Sequence, residues 1–374
     1  MKGLRVAVLA SGDTLLIPRP QLLSAELARH GFEVALYAGR HNEGLEFNPT
    51  WLPRTYFMDS TALPRKLRTL GLWLSAAKVA RYRPDVIVGF DMAIVPAILA
   101  KWLWRRSRAV AYHLEYYTER KGFSGYWIEF LKRFEHQCDL IVDVDEGRLK
   151  RRIATWRRVG DTVVIRNFYP RKSAAELRPE REAGPTRFVF IGSVRPQNNP
   201  VALLRAAGRS TRPLQLDLFL TGDAATIVEL RETAARLGLD GAVAVHDSVP
   251  RSEMMTLLSR FDVGTVWYPF VDLRGDEAFA HENCAPNKLG EYLASGLAIL
   301  ATNNASLRLV EERGFGRQCD PGDSASIDRA LAALADPRIR EAAKVKVRRA
   351  FEVWANYETE CAPFINKLNG WSKC

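Results

Sequence analysis

Apolar residues recur along this chain in two alternating rhythms. Short, nearly continuous apolar runs at 4–10, 33–38, 85–90, 109–113, 140–143 and 162–165 read as strands. Between them, apolar positions three and four apart predict helices at 20–30, 67–81, 93–104 and 125–138. Runs such as Val86-Ile87-Val88-Gly89 are apolar on both faces, which suits a strand covered by helices above and below, and so a parallel sheet of βαβ units. Residues 171–186 are polar, weakly periodic and end near Gly184-Pro185, the composition of a linker. A second series then starts. Strands are expected at 187–191, 215–221, 243–245, 263–267 and 298–301, with helices at 200–208, 225–237, 251–260 and 287–295. A long helical stretch leads into an aromatic tail with Phe351, Trp354, Tyr357, Phe364 and Trp371.

This order predicts an α/β protein of two Rossmann-like, doubly wound domains, 1–170 and 187–349, with a helix from about 350 to 374 packing back on the first. A length of 374 residues suits that division. In open parallel sheets ligands bind beyond the carboxyl ends of the strands, so two such domains facing each other imply a central cleft. The composition, 47% hydrophobic, excludes a disordered chain. No apolar run reaches the ~18 residues of a membrane span, and the most apolar stretch, 93–104, is interrupted by Lys101. The first residues mimic a secretory leader, but the apolar run is short, stops at Ser11-Gly12-Asp13 and reads better as a buried first strand. Five cysteines, Cys138, Cys284, Cys319, Cys361 and Cys374, form no Cys-x-x-Cys pair. Their odd number fits a reducing compartment, hence the cytoplasm.

Charge sharpens the picture. The formal net charge is +11. The first 185 residues carry 31 Lys and Arg against 20 Asp and Glu, whereas the rest carry 23 of each. All the excess therefore belongs to the first half, where it suits either an anionic partner or solubility alone. Residues 64–83 place basic and apolar side chains at helical spacing. Such a helix either lies on an anionic leaflet, on the inner face of the plasma membrane, or buries an ordinary apolar stripe in its own domain. Nucleic acid is not an expected partner, because Arg151-Arg152 and Arg157-Arg158 lack interleaved aromatic residues. No Gly-x-Gly-x-x-Gly follows a strand, which argues against a dinucleotide oxidoreductase.

The densest chemistry lies at 284–302. Pro286 suits a helix start, Lys288 and Glu291 follow three apart on one face, and Gly296 ends the helix before an apolar strand. A lysine at a helix N-terminus reads either as an anion site suited to a diphosphate or as half of a surface ion pair. His113, at a strand end, is either structural or functional. Gly12 and Gly192 suit tight strand-to-helix turns. Asp143-x-Asp145 has the spacing of a metal-binding pair but ends a strand of the first domain, and no metal is assigned to it.

The segment Pro286-Asn287-Lys288-Leu289-Gly290-Glu291-Tyr292, leading into an apolar strand and then Val310-Glu311 and Gly314-Phe315-Gly316, resembles the donor-binding signature of retaining GT-B glycosyltransferases, family 4 in particular. Gly192-Ser193-Val194-Arg195 to Asn198 is similar to that family's opening loop, Thr221-Gly222-Asp223 to its next glycine loop, and Val245-His246-Asp247 to its base-binding loop. Residues 13–20, with Gly12, Asp13 and Arg19, resemble the acceptor-side loop, and Tyr112-His113-Leu114-Glu115 a His-Glu loop. The resemblance implies transfer of a sugar from a nucleotide-diphosphate donor, as co-substrate, to a glycan, lipid-linked or other hydroxyl acceptor in cell-surface glycan or glycolipid assembly, with no cofactor required. It assigns catalysis to His113, Lys288 and Glu291, and donor binding to Gly192, Ser193, Arg195, Asn198, Gly222, His246, Asn283, Cys284 and Ala285. Gly12, Asp13, Arg19 and Glu115 fall on the acceptor side.

Departures accompany the match. A second glutamate expected eight positions before Glu291 is replaced by Asn283, with Glu282 one residue out of register. Ser193 and Asn198 stand where the opening loop normally carries cations. The stretch 269–283 is long and acidic, reading as a loop that is either solvated or a lid. These departures leave two alternatives open, a nucleotide-sugar epimerase on the same fold and a catalytically weakened sugar-nucleotide-binding module.

Overall fold

The computed structural model describes residues 3–10, 19–38, 55–57, 68–117, 125–155, 160–173, 184–195, 198–239, 241–269 and 273–371. The chain divides into two compact units, Met1–Ile165 together with Cys361–Cys374, and Arg166–Glu360.

In the first unit seven strands form one parallel sheet: β1 (Arg5–Ala10), β2 (Glu33–Ala38), β3 (Thr55–Phe57), β4 (Val86–Phe90), β5 (Arg108–His113), β6 (Leu140–Asp143) and β7 (Asp161–Val164). Their order is β3-β2-β1-β4-β5-β6-β7, so the winding reverses between β1 and β4. β4 is buried throughout and β1 beyond its first residue, as runs apolar on both faces require. The C-terminal segment is held within this unit by an ion pair from Lys367 to Asp161 at 2.8 Å and by Arg108, whose guanidinium lies 4.9 Å from the Trp371 ring centre.

The second unit repeats the plan with β8 (Thr186–Val194), β9 (Leu214–Gly222), β10 (Val243–Asp247), β11 (Val263–Val266), β12 (Ala298–Thr302) and β13 (Gly316–Cys319), ordered β10-β9-β8-β11-β12-β13 and parallel throughout. Alternation along the strands feeds two cores. Phe188, Phe190, Val263, Ala298 and Leu300 join the helices Val201–Arg209, Ala224–Arg236 and Ser324–Ala335 on one face. Val189, Val266, Ile299 and Ala301 join Asn287–Ala294 and Pro337–Val353 on the other.

The helix Asn287–Ala294 is keyed to this sheet by Tyr292. The phenol is fully buried, its hydroxyl accepts from the Ile191 amide at 3.2 Å, and it donates to the Thr265 carbonyl at 3.3 Å. Its ring fills the space of a missing side chain: a Cβ on Gly264 would lie 2.3–2.7 Å from ring carbons.

Several elements differ from the sequence pattern, for local reasons. Glu146–Thr155 is a helix that apolar spacing does not announce, because Leu149 is its only buried apolar residue. Its start is fixed instead by Asp145, which accepts from the Arg148 amide at 2.9 Å. The acidic stretch expected as a loop contains the helix Gly275–Glu282. β3 is a three-residue strand at the sheet edge, too short for a period to register. The division between units falls at Ile165, ahead of the expected linker, of which 174–183 lie outside the described residues. Among the described residues no helix is long and apolar enough to cross a membrane.

Gly264→Ala should force the Tyr292 ring from its notch at a cost of about 1–3 kcal/mol, the usual penalty of overpacking. Thermal melting checks this: a midpoint equal to wild type would mean that the ring is free to yield.

Candidate active site

Pro286, in an extended conformation at φ −71° and ψ 129°, precedes the helix that carries Lys288 and Glu291. The half-buried Lys288 ammonium lies 4.4 Å from the Phe190 ring centre and 5.3 Å from that of Tyr268, an aromatic cradle for a cation. Gly192 makes room for it, since a Cβ there would stand 2.7 Å from Nζ. Burial lowers the Lys288 pKa from 10.5 to about 8, against the opposing effect of the nearby Glu291 charge. Glu291, itself buried, accepts from the Tyr169 hydroxyl at 2.8 Å, and Arg251 lies 4.0 Å from the same oxygen.

The neighbouring donor-side candidates occupy defined places. Cys284 is buried, its Sγ 3.5 Å from Ser306 Oγ, and the Ala285 carbonyl accepts from Asn167 Nδ2 at 2.7 Å. Asn283 closes the helix Gly275–Glu282, with backbone and side-chain nitrogens both donating to the Phe279 carbonyl at 3.0 Å. Glu282 accepts from the Ala305 amide at 3.1 Å, and Asn304 donates to the His281 carbonyl at 3.2 Å. The acidic stretch is thus tied down at its C-terminal end.

In the opening loop, Asn198 Oδ1 accepts from the Arg195 amide at 2.6 Å and Nδ2 donates to the Ser193 carbonyl at 3.3 Å. Its side chain therefore holds the turn, leaving Ser193 and Arg195 exposed beside Gly192. Gly222 ends β9 at φ 108°, paired with Val194. His246, on the outer strand β10, stacks on Phe219 with ring centres 4.5 Å apart, and its Nε2 lies 2.8 Å from Asp217 Oδ1. Gly192, Cys284, Ala285, Lys288 and Glu291 gather at one place, whereas His246 sits two strands from β8.

In the first unit His113 ends β5 fully buried. Its Nδ1 is 3.2 Å from the Tyr117 hydroxyl and its Nε2 is bound closely by Glu135. Both ring nitrogens are engaged inside the unit, so contact with a reacting sugar would require one of these bonds to part. Asp91, beyond the carboxyl end of β4, adopts φ 49°, rare for a non-glycine residue. Its Oδ1 accepts from the Leu114 amide at 2.8 Å, the Glu115 amide at 3.1 Å and the Tyr117 hydroxyl at 3.3 Å. Burial raises its pKa from 3.8 to about 6. Glu115 is thus placed through its amide. Arg19 is buried at the start of the helix Arg19–Arg29, and Gly12 and Asp13 lie outside the described residues.

Asp143 and Asp145 have structural uses. Asp143 accepts from the Val144 and Asp145 amides and pairs with buried Arg152 at 3.2 Å, while Asp145 caps a helix. Among the described residues no three His, Cys, Asp or Glu side chains are grouped to hold a metal ion.

Tyr169, Arg251, Phe190 and Asp91 were not singled out by the sequence pattern, whereas Tyr268 lies in Val266-Trp267-Tyr268-Pro269, which resembles the strand before the family's donor loop. Of the first four, only Asp91 carries a local sign, a carboxylate directly after a fully apolar strand. The others reach the site from distant elements.

The model for Glycosyltransferase Family 4 matches residues 21–173, and that for Glycosyl transferases group 1 matches 185–336. The chain belongs to the GT-B glycosyltransferases. Solved structures of this fold cover it nearly end to end. A glycosyltransferase from Rickettsia africae is 12% identical over 100% of both chains, with a TM-score of 0.74. HepE of Anabaena, in complex with UDP and glucose, is 15% identical over 98% of this chain and 100% of its own, at 0.72. The lipopolysaccharide outer core galactosyltransferase WaaB is 13% identical over 97% and 99%, at 0.69. At such identities the likeness is one of fold. No curated protein sequence matches the chain.

In this glycosyltransferase the Lys288 ammonium should titrate well below 10.5. NMR of isotope-labelled lysine side chains should show a resonance moving near pH 8 that is absent from Lys288→Met. A Lys288 resonance that titrates at 10.5 would remove the effect of burial.

Proposed function

We propose that the protein transfers a sugar from a nucleotide-diphosphate donor to a hydroxyl acceptor, with retention of anomeric configuration, in cell-surface glycan or glycolipid assembly. The seat of Lys288 carries this reading. A partly desolvated ammonium stands beside Gly192, on the strand at which the winding of the second sheet reverses, where open α/β sheets bind ligands. Among the described residues no acidic side chain forms an ion pair with this cation, so an anionic ligand suits it. Its main catalytic task would be to stabilise the departing diphosphate, a charge that develops in the transition state. Arg195, exposed on the opening loop, would share it.

Glu291, one turn further, would accept hydrogen bonds from the ribose hydroxyls. Asn283 and the backbone around Cys284 and Ala285 would address the sugar. In the first unit, His113 and Asp91 would fix the turn at Leu114 and Glu115 on the side proposed for the acceptor. The complex of Anabaena HepE with UDP and glucose supports a uridine donor, and the WaaB likeness supports a surface-glycan acceptor. The donor is a co-substrate, and the proposal assigns its charge to cationic side chains without a resident cofactor.

The test is a thermal-shift screen against UDP-, GDP- and ADP-sugars, because a ligand of the native state raises the melting temperature. One donor class should do so, and released nucleoside diphosphate should accumulate with it. Lys288→Ala should weaken binding about 10- to 100-fold, the worth of a charge-assisted contact. Binding without turnover, or an epimerised nucleotide sugar as product, would overturn the reading.

The acceptor would be presented at an anionic membrane surface. Trp73 and Leu74 on the helix Arg68–Arg81, and Trp102 and Leu103 on Ile94–Leu103, are exposed on two helices that pack together. Trp104 lies within 6 Å of both the Arg83 and Arg106 guanidiniums. Exposed tryptophan flanked by arginine suits the headgroup region. The protein should sediment with phosphatidylglycerol vesicles at low salt, and Trp102→Ala with Leu103→Ala should reduce this. Equal recovery with neutral vesicles, or none with either, would sink the membrane proposal.

A further inference from the structure

We propose that Tyr169 and Arg251 are positioning residues that set the Glu291 carboxylate for the donor's ribose hydroxyls. The inference rests on the reading of Glu291 given above and names what orients it. Arg251 Nη2 donates to the Tyr169 hydroxyl, and that hydroxyl donates to Glu291 Oε1 at 2.8 Å. The direction of this chain is fixed by proton inventory: a guanidinium has only donors and an ionised carboxylate only acceptors, so the phenol must accept from one and donate to the other. Arg251 also lies 4.0 Å from Glu291 Oε1, so its charge reinforces the same oxygen. Oε1 is therefore committed, while among the described residues Oε2 receives no hydrogen bond.

The same short segment holds the helix start. Asn167 Nδ2 donates to the Ala285 carbonyl at 2.7 Å, Phe168 is buried in the core beside Leu289 and Tyr292, and the Tyr169 carbonyl accepts from the Tyr357 amide at 2.9 Å. Three consecutive residues thus grip the segment that carries the donor chemistry. Tyr169 is immobilised at its backbone before its hydroxyl reaches Glu291. A carboxylate held at one oxygen presents the other in a single orientation, and that pre-setting raises affinity for a diol without adding a contact.

The experiment compares full-length protein with Tyr169→Phe and Arg251→Gln. Calorimetry measures whichever of UDP, GDP and ADP binds most tightly, together with its 2′,3′-dideoxy counterpart. Wild type should prefer the ribose form. Tyr169→Phe should weaken the ribose form about three- to tenfold, the range of a single hydrogen bond, and leave the dideoxy form unchanged, so that the preference collapses. Arg251→Gln should reduce the preference in the same sense. Equal weakening of both forms by Tyr169→Phe would mean a merely structural tyrosine, and an unchanged preference in both variants would likewise overturn the proposal. Glu291→Gln separates the two levels. If it abolishes the preference while Tyr169→Phe does not, the positioning role alone fails. If it leaves the preference intact, or if no diphosphate binds, the reading of Glu291 fails and this inference with it.

Discussion

A phenol ring lying where position 264 lacks a side chain anchors the short helix to which the donor chemistry is here proposed to belong. Eight residues are too few to hold a helix by propensity. Asn287–Ala294 is held instead by Tyr292, whose hydroxyl bridges backbone groups of β8 and β11, and by Leu289, Leu293 and Ala294 in the core. Rotation of the helix would break both hydrogen bonds and drive the ring into the sheet. Lys288 and Glu291 inherit their positions from this lock. The carboxylate is then trimmed by a tyrosine from outside the sheet, and the ammonium by two aromatic rings and an absent Cβ.

The lock has an electrostatic consequence. Because the Lys288 ammonium is held partly out of water, its charge carries a desolvation penalty that the nearby Glu291 charge offsets only in part, and its pKa falls to about 8. Among the described residues no carboxylate is hydrogen-bonded to Lys288, and Glu291 is turned toward Tyr169. An anion arriving at Nζ would remove the penalty and raise the pKa again. A single partly buried cation can in this way meet a diphosphate even though Ser193 and Asn198 stand where the opening loop would otherwise carry charge. Asn198 is not idle there. It secures the turn that follows Gly192.

Legibility followed the range of the interactions. The α/β alternation was readable because strands buried on both faces are apolar throughout, and the donor helix because Pro286, Lys288, Glu291 and Gly296 mark it within a dozen residues. What escaped depends on contacts made at a distance or on polar local signals. The helix Glu146–Thr155 is polar and defined by its cap, and Gly275–Glu282 buries no residue, so neither has an apolar period to read. Glu135 meets His113 only because β5 and the end of the next helix converge. Tyr169 meets Glu291 across most of the second unit's sequence. Gly264 reads as an ordinary strand residue until Tyr292 is seen beside it. His113 was legible as a residue at a strand end, but its burial against Glu135 and Tyr117 was not.

The two units use the carboxyl ends of their strands in opposite ways. In the first, Asp91, His113 and Asp143 at the ends of β4, β5 and β6 turn inward and are met by backbone amides, Tyr117, Glu135 and Arg152. Charges of both signs take part, so this network does not account for the surplus of the first 185 residues. That surplus must lie largely outside it, on exposed residues such as Arg81, Arg83, Arg105 and Arg106, of which Arg83 and Arg106 flank Trp104. In the second unit the strand end at Gly192 is left open and faces a lysine without an ion pair among the described residues. A neutral half with one tuned cation suits a small anionic donor gripped at close range. A half whose positive charge remains on its surface acts over a longer distance, which suits the membrane-presented acceptor proposed above.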